Sequence, residues 1–148
     1  MSFSLTLIGL SFGLFAYWFR YSCILILRTQ TAEDYSGEVC HANGLSFDLV
    51  RGQIEVNKNP NLIELYHSLE RDYRVVSQLL DQISGSVAEE NMLETKLLRA
   101  NFRVAQAWFR VSHSLGLRSS VSALEEMAES IGHFANAFGQ QSAASAGV

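Results

Sequence analysis

Residues 3–19 carry no charged side chain, and Arg20 then stands inside a run that stays apolar to Leu27. No other feature constrains this chain as much. A helix over residues 3–19 covers ~26 Å, and one over residues 3–27 covers ~38 Å, against a hydrocarbon core of ~30 Å. A cleaved signal peptide would need a basic start and a small-x-small cleavage site. The chain begins Met-Ser, and the run ends Tyr17-Trp18-Phe19-Arg20. The expectation is an uncleaved, single-pass anchor over residues 1–28.

Arg20 lies among Tyr17, Trp18 and Tyr21, the residue types that gather at the headgroup level. Its expected place is the membrane interface, with the guanidinium reaching lipid phosphate or a partner subunit. Arg28 is the second basic residue after the run, and none precedes it. Positive charge is retained on the cytoplasmic side, so the N-terminus is expected outside and the rest of the chain inside the cell (inner) membrane. Gly9 and Gly13 have the G-x-x-x-G spacing that lets two helices approach closely. The run contains no histidine or carboxylate, so it offers no haem ligand and no proton relay.

Beyond residue 28 the chain reads as helical, with one proline in 148 residues to interrupt helices. Residues 29–56 form an expected juxtamembrane helical segment. Within it, residues 29–42 could prolong the anchor helix, "ANG" at 42–44 ends a helix, and residues 46–56 make a short one. "NKNPN" (57–61) is a turn, with Pro60 suited to the first turn of the next helix. Leu62, Tyr66, Leu69, Tyr73, Val76, Leu80 and Ile83 then step by four and three, an apolar seam over three heptads. A second helix, from about Ala88 to Leu115, carries the same stepping at Leu93, Leu97, Ala100, Val104, Ala107, Val111 and Leu115. Gly116 is its stop. Ser122 and Glu125 form a capping box that predicts a third helix from Ser122. Its apolar side is Val121, Leu124, Met127/Ala128, Ile131, Phe134/Ala135 and Phe138. The expected fold is all-α: a transmembrane helix followed by a small antiparallel bundle of about three amphipathic helices over residues 57–141, with a disordered tail over 142–148.

No catalytic signature is present. Serines lack a G-x-S-x-G context, and no Gly-rich phosphate loop occurs. The four histidines (His41, His67, His113, His133) make no His-x-x-x-His pair; Glu38-x-x-His41 and Glu64-x-x-His67 each set a single carboxylate near a single imidazole, short of a metal ligand set. Neither a metal nor a cofactor is expected. The two cysteines, Cys23 and Cys40, cannot form a disulfide framework. The net charge of −4 argues against nucleic acid.

The remaining candidates lie on the second bundle helix. Lys96, Arg99, Arg103 and Arg110 are four of the eleven basic residues and project within ~60° of one another. The stripe serves an acidic partner, the phosphates of the inner leaflet, or the carboxylates of neighbouring helices: Glu64, Glu70, Asp72 and Asp81, or Glu125, Glu126 and Glu129. Trp108 and Phe109 are adjacent, so they face different ways. With Phe102, they need cover from residues 46–56 or from another protein. The function expected is that of a non-catalytic accessory or structural subunit of a bacterial membrane complex, by analogy of architecture with photosynthetic and respiratory assemblies. Its partners would be other subunits, and lipid at Arg20 and Arg28. A self-associating scaffold, hence a homo-oligomer, and a membrane-tethered adaptor are the alternatives.

Overall fold

The computed structural model describes residues 2–28, 34–57, 60–83 and 89–146. The described residues form six helices and no strand: α1 (Ser2–Arg28), α2 (Ser36–Asn43), α3 (Phe47–Val56), α4 (Leu62–Ile83), α5 (Glu89–Ser114) and α6 (Ser119–Ala146). The protein is all-α. It divides into two units, residues 1–30 and 31–148.

The first unit is α1, a helix of 27 residues. Most of its described large apolar side chains between Leu7 and Leu25 lie open, from 52% exposed at Leu25 to 74% at Phe12, while Phe19 is half-buried and Cys23 is buried. A side chain built at Gly9 or Gly13 would meet nothing within 4 Å. Among the described residues, no helix is long and apolar enough to cross a membrane. The expected transmembrane helix is therefore not supported by them. The side chains of Phe3, Leu5, Ile24, Ile26, Leu27 and Arg28, which that expectation also used, lie outside the described set.

In the second unit α6 is the central element, packed against α2, α3, α4 and α5. Its sequence explains this. Leu124, Met127, Ile131 and Phe134 supply bulk, while Ala123, Ala128, Ser130, Ala135 and Gly139 let neighbouring backbones come close. A helix walled by small residues on several sides can be surrounded; one with a single apolar stripe cannot. α4 and α5 approach each other differently, through large rings. Tyr66 stacks on Phe109 with centroids 4.8 Å apart, and Tyr73 on Phe102 at 3.9 Å. One partner of each pair rises in number as the other falls, so α4 and α5 run antiparallel.

The short helices are fastened by side chains of the long ones. Ser46, at the start of α3, donates its N–H and its hydroxyl to one oxygen of Asp72 on α4, at 2.6 and 3.0 Å. The fully buried Asp72 carboxylate thus sits where the α3 dipole favours negative charge. Its other oxygen faces the Arg71 guanidinium at 3.5 Å. Tyr35, at the start of α2, donates its N–H to Oδ1 of Asn136 on α6 at 2.9 Å. Beside it, a Cβ on Gly139 would lie 2.3 Å from the Cβ of Tyr35, so only glycine permits this approach of α2 to α6.

Helix ends follow the sequence closely in two places. Gly44 ends α2 in the left-handed region at φ 60°, and Gly116 follows α5 at φ 65°. After α5, Leu117 N–H reaches Ser112 O at 2.8 Å and Gly116 N–H reaches His113 O at 3.1 Å, the paired bonds of a Schellman stop. Elsewhere the helices depart from expectation. α6 begins at Ser119, ahead of the expected capping box, and Ser122 is already helical. The Leu117–Val121 turn absorbs the start instead, with Ser120 and Val121 N–H groups bonded to Leu117 and Arg118 carbonyls. At its other end α6 runs on to Ala146, through most of the segment expected as a disordered tail. Ala143, Ala144 and Ala146 in that stretch are good helix formers, and Gly139, Ser142 and Ala143 line a groove shared with α2. α2 is a helix of its own, and residues 29–33, over which it was expected to join α1, lie outside the described residues.

Candidate functional site

The side chains expected to carry function are concentrated on α5, whose sequence has an unusual charge pattern. From Thr95 to Leu124 there is no Asp or Glu, while Lys96, Arg99, Arg103, Arg110 and Arg118 all fall there. The chain as a whole is acidic, with 15 carboxylates against 11 basic residues. Such a segment needs its counter-charges from elsewhere.

α5 presents two apolar faces, and the fold buries the one that the heptad reading did not select. Leu98, Phe102, Ala105 and Phe109 are buried, with Asn101 and Ser112 beside them. The expected seam looks outward: Ala100 and Ala107 are exposed, as are Val104 (43%), Val111 (49%) and Leu115 (66%). Leu93, at the start of that seam, has its side chain outside the described set. The reason is ring size and register. Phe102 and Phe109, seven residues apart, meet Tyr73 and Tyr66, also seven apart, and two stacked pairs bury far more apolar area than an Ala/Val stripe.

This arrangement separates the adjacent aromatics. Phe109 is a core residue, stacked on Tyr66 and on His113, so it is not part of a docking surface. Phe102 is likewise buried, stacked on Tyr73 of α4. Trp108 remains 48% exposed, next to Val104 and Val111.

The basic stripe divides in the same way. Arg99 pairs with Asp81 of α4 at 2.6 Å. Arg110 donates from Nε to the Tyr66 hydroxyl at 3.0 Å, its guanidinium carbon 5.9 Å from the centre of that ring. The same hydroxyl accepts from Gln106 Nε2 at 2.9 Å, and Gln106 also reaches Glu70 at 3.2 Å. Lys96 and Arg103 are exposed and make no ion pair with any described residue. Of the carboxylates proposed to neutralise the stripe, Asp81 does so. Asp72 turns away to hold α3, and Glu70 faces Gln106, Arg74 and His67. Spacing alone does not reveal that a seam tyrosine, Tyr66, presents its hydroxyl to Gln106 and Arg110 of the neighbouring helix.

Among the described residues, no three His, Cys, Asp or Glu side chains gather as a metal site. A groove of about 380 Å³ lies between α2 and the end of α6, walled by Tyr35, Val39, Ala42, Phe138 and Ser142, with Glu38 at its margin. Nearby, burial pushes the Cys40 thiol above the ordinary thiol range. The Asp48 N–H opposes this, and the charges of Asp48 and Asp72 reinforce it. Cys40 donates to Leu45 O at 3.2 Å, as a protonated thiol does. This is the opposite of an activated nucleophile.

No family model, curated protein or solved structure matches the chain. The functional reading therefore rests on its own residues.

Proposed function

We propose that this protein is a non-catalytic accessory or structural subunit of a larger membrane protein complex. In this reading α1 is a single-pass anchor in the cell membrane, and the helical unit beyond it docks on the complex from the cytoplasmic side. Gly9 and Gly13 would face another helix, and Arg20 would meet lipid phosphate or a neighbouring subunit at the interface.

The observation that carries the reading is the uncovered apolar surface in both units. A 27-residue helix with open Leu, Ile, Phe, Tyr and Trp side chains, and an outward Val/Trp/Leu face on α5, are surfaces that a lone chain in water would bury. The absence of charge from residues 3–19, with Arg20 and Arg28 following, supports the anchor and its direction. The unpaired Lys96 and Arg103 give the outward apolar face of α5 a polar edge on one side, as docking surfaces have at their rims.

The test is native-gel migration after mild detergent extraction from the source membrane, with mass spectrometry of the band. A large band containing other integral proteins at fixed stoichiometry is the expected result. A band holding several copies of this chain alone would replace the reading by a self-associating scaffold. Recovery in the soluble fraction without detergent would remove the anchor.

A further inference from the structure

The outward face of α5 is specific enough to define what covers it. On a helical wheel at ~100° per residue, Ala100, Val104, Ala107, Trp108 and Val111 fall within an arc of roughly 100°. On one edge the arc runs directly into buried Asn101, Ala105 and Ser112. On the other edge stand Lys96, Arg103 and Arg110, within roughly the next 60°. The face is an apolar stripe bounded on one side by the bundle and on the other by a line of positive charge.

We infer that this face receives an amphipathic helix of a different polypeptide, with carboxylates along the edge that meets Lys96 and Arg103. The inference rests on the docking reading above and names the partner's chemistry. Three features of α5 select that occupant. The seam repeats at four- and three-residue steps with alanine and valine alternating, Ala100-Val104-Ala107-Val111, which leaves holes for the knobs of another helix. The same alternation makes a shallow face, whereas a helix that inserts into a bilayer surface presents mainly bulky residues. Finally, the absence of any carboxylate between Thr95 and Leu124 weighs against a second copy of α5. Paired antiparallel, two such helices would set one basic edge against the other. Paired parallel, they would set it against Trp108 and Leu115. Over residues 95–114 neither arrangement supplies a counter-charge. Arg99 is ion-paired with Asp81, and Arg110 keeps its charge but is held at the Tyr66 hydroxyl, so the basic side chains left without any partner for the incoming helix are Lys96 and Arg103.

The experiment places a photo-crosslinking amino acid at Val104 or at Val111 in the full-length chain. Each variant is expressed in the source cell, irradiated in place, and the adduct peptide is sequenced. Both sites are exposed, so the substitutions leave the core intact. The expected result is adducts from both sites to one segment of one other polypeptide, about two helical turns apart, with Asp or Glu recurring on one heptad edge. Lys96→Glu with Arg103→Glu in the same background should lower adduct yield about tenfold. A probe at exposed Leu49 on α3 should give no adduct to that segment. Adducts to lipid, to another copy of this chain, or to a segment without acidic residues would overturn the inference. So would an absence of adducts while the large native band persists, which would leave the complex-subunit reading standing. Migration of the chain alone would overturn both.

Discussion

In α4, the residues that step by four and three are the ones facing the core: Leu69, Val76 and Leu80 are buried, as is Tyr66. In α5, residues with the same stepping face outward, and the core is made by a stripe displaced around the helix at Leu98, Phe102, Ala105 and Phe109. The difference lies in the rest of each helix. The remainder of α4 is largely charged or polar, so only one face is fit for burial. α5 is apolar or small over more than half its circumference, and there the choice falls to whichever face finds a complement on the neighbouring helix. Tyr66 and Tyr73 supply that complement to Phe109 and Phe102. A heptad pattern identifies an apolar stripe; it does not say which of two stripes points inward.

The most direct way to break this comparison is by truncation. Leu69→Ala on α4 and Phe102→Ala on α5 should each lose about 3 kcal/mol or more of unfolding free energy, because each opens a cavity in the core. Denaturant unfolding of the full chain in mild detergent measures this. If Phe102→Ala were tolerated, the aromatic register would not be what orients α5.

Asp72→Ala should follow at about 2 kcal/mol, since it removes charge-assisted bonds to Ser46 and leaves the start of α3 without an acceptor. Hydrogen exchange should accelerate first at the amides of residues 46–50. Gly139→Ala should cost about 1 kcal/mol, the crowding against Tyr35 outweighing the better helix propensity of alanine. Amides of α2 should exchange faster while those of α4 hold.

Cys40 sharpens the picture of how tightly the short helices are held. Its folded-state pKa is raised, so the neutral thiol's contribution to stability is complete below the ordinary thiol pKa and is lost as pH rises through the folded value. Alkylation of Cys40 at pH 8.5 should be slower than that of a thiol in a short peptide, and should approach it once α2 is loosened by Gly139→Ala. Asp34 behaves with the opposite sign. The Ser36 hydroxyl and N–H hold its carboxyl below the usual range, so its contribution is present above the unfolded carboxylate pKa and lost as pH falls through the folded value. The smallest effect belongs to the outward seam. Val104→Lys and Val111→Lys should each change stability by no more than about 0.5 kcal/mol.

The helical class, the α4 seam, the glycine stops at Gly44 and Gly116 and the general extent of α5 were legible in the residues, because each follows from local geometry: a repeat near 3.6, or a position needing positive φ. The basic stripe was legible as charge. Its division into Arg99 and Arg110, held by Asp81 and Tyr66, and Lys96 and Arg103, left open, was not. That division depends on which residues of α4 lie opposite, and helix spacing says nothing about the opposite helix.

The sequence by itself determined the all-α class and the strongly one-sided α4, and it concentrated positive charge on the stretch of α5 from Thr95 onward, which has no carboxylate. These are properties of a single helix and its neighbours along the chain. Only the tertiary structure decided that α6, with its small residues, is the central helix, and that it continues to Ala146. Only the fold sent Asp72 to the start of α3 and Asn136 to the start of α2, and turned the Val104–Val111 seam to the outside. The physical reason is common to all of these. Burial and capping are settled between elements distant in sequence, where ring stacking and close backbone approach outweigh the preference of any one stripe.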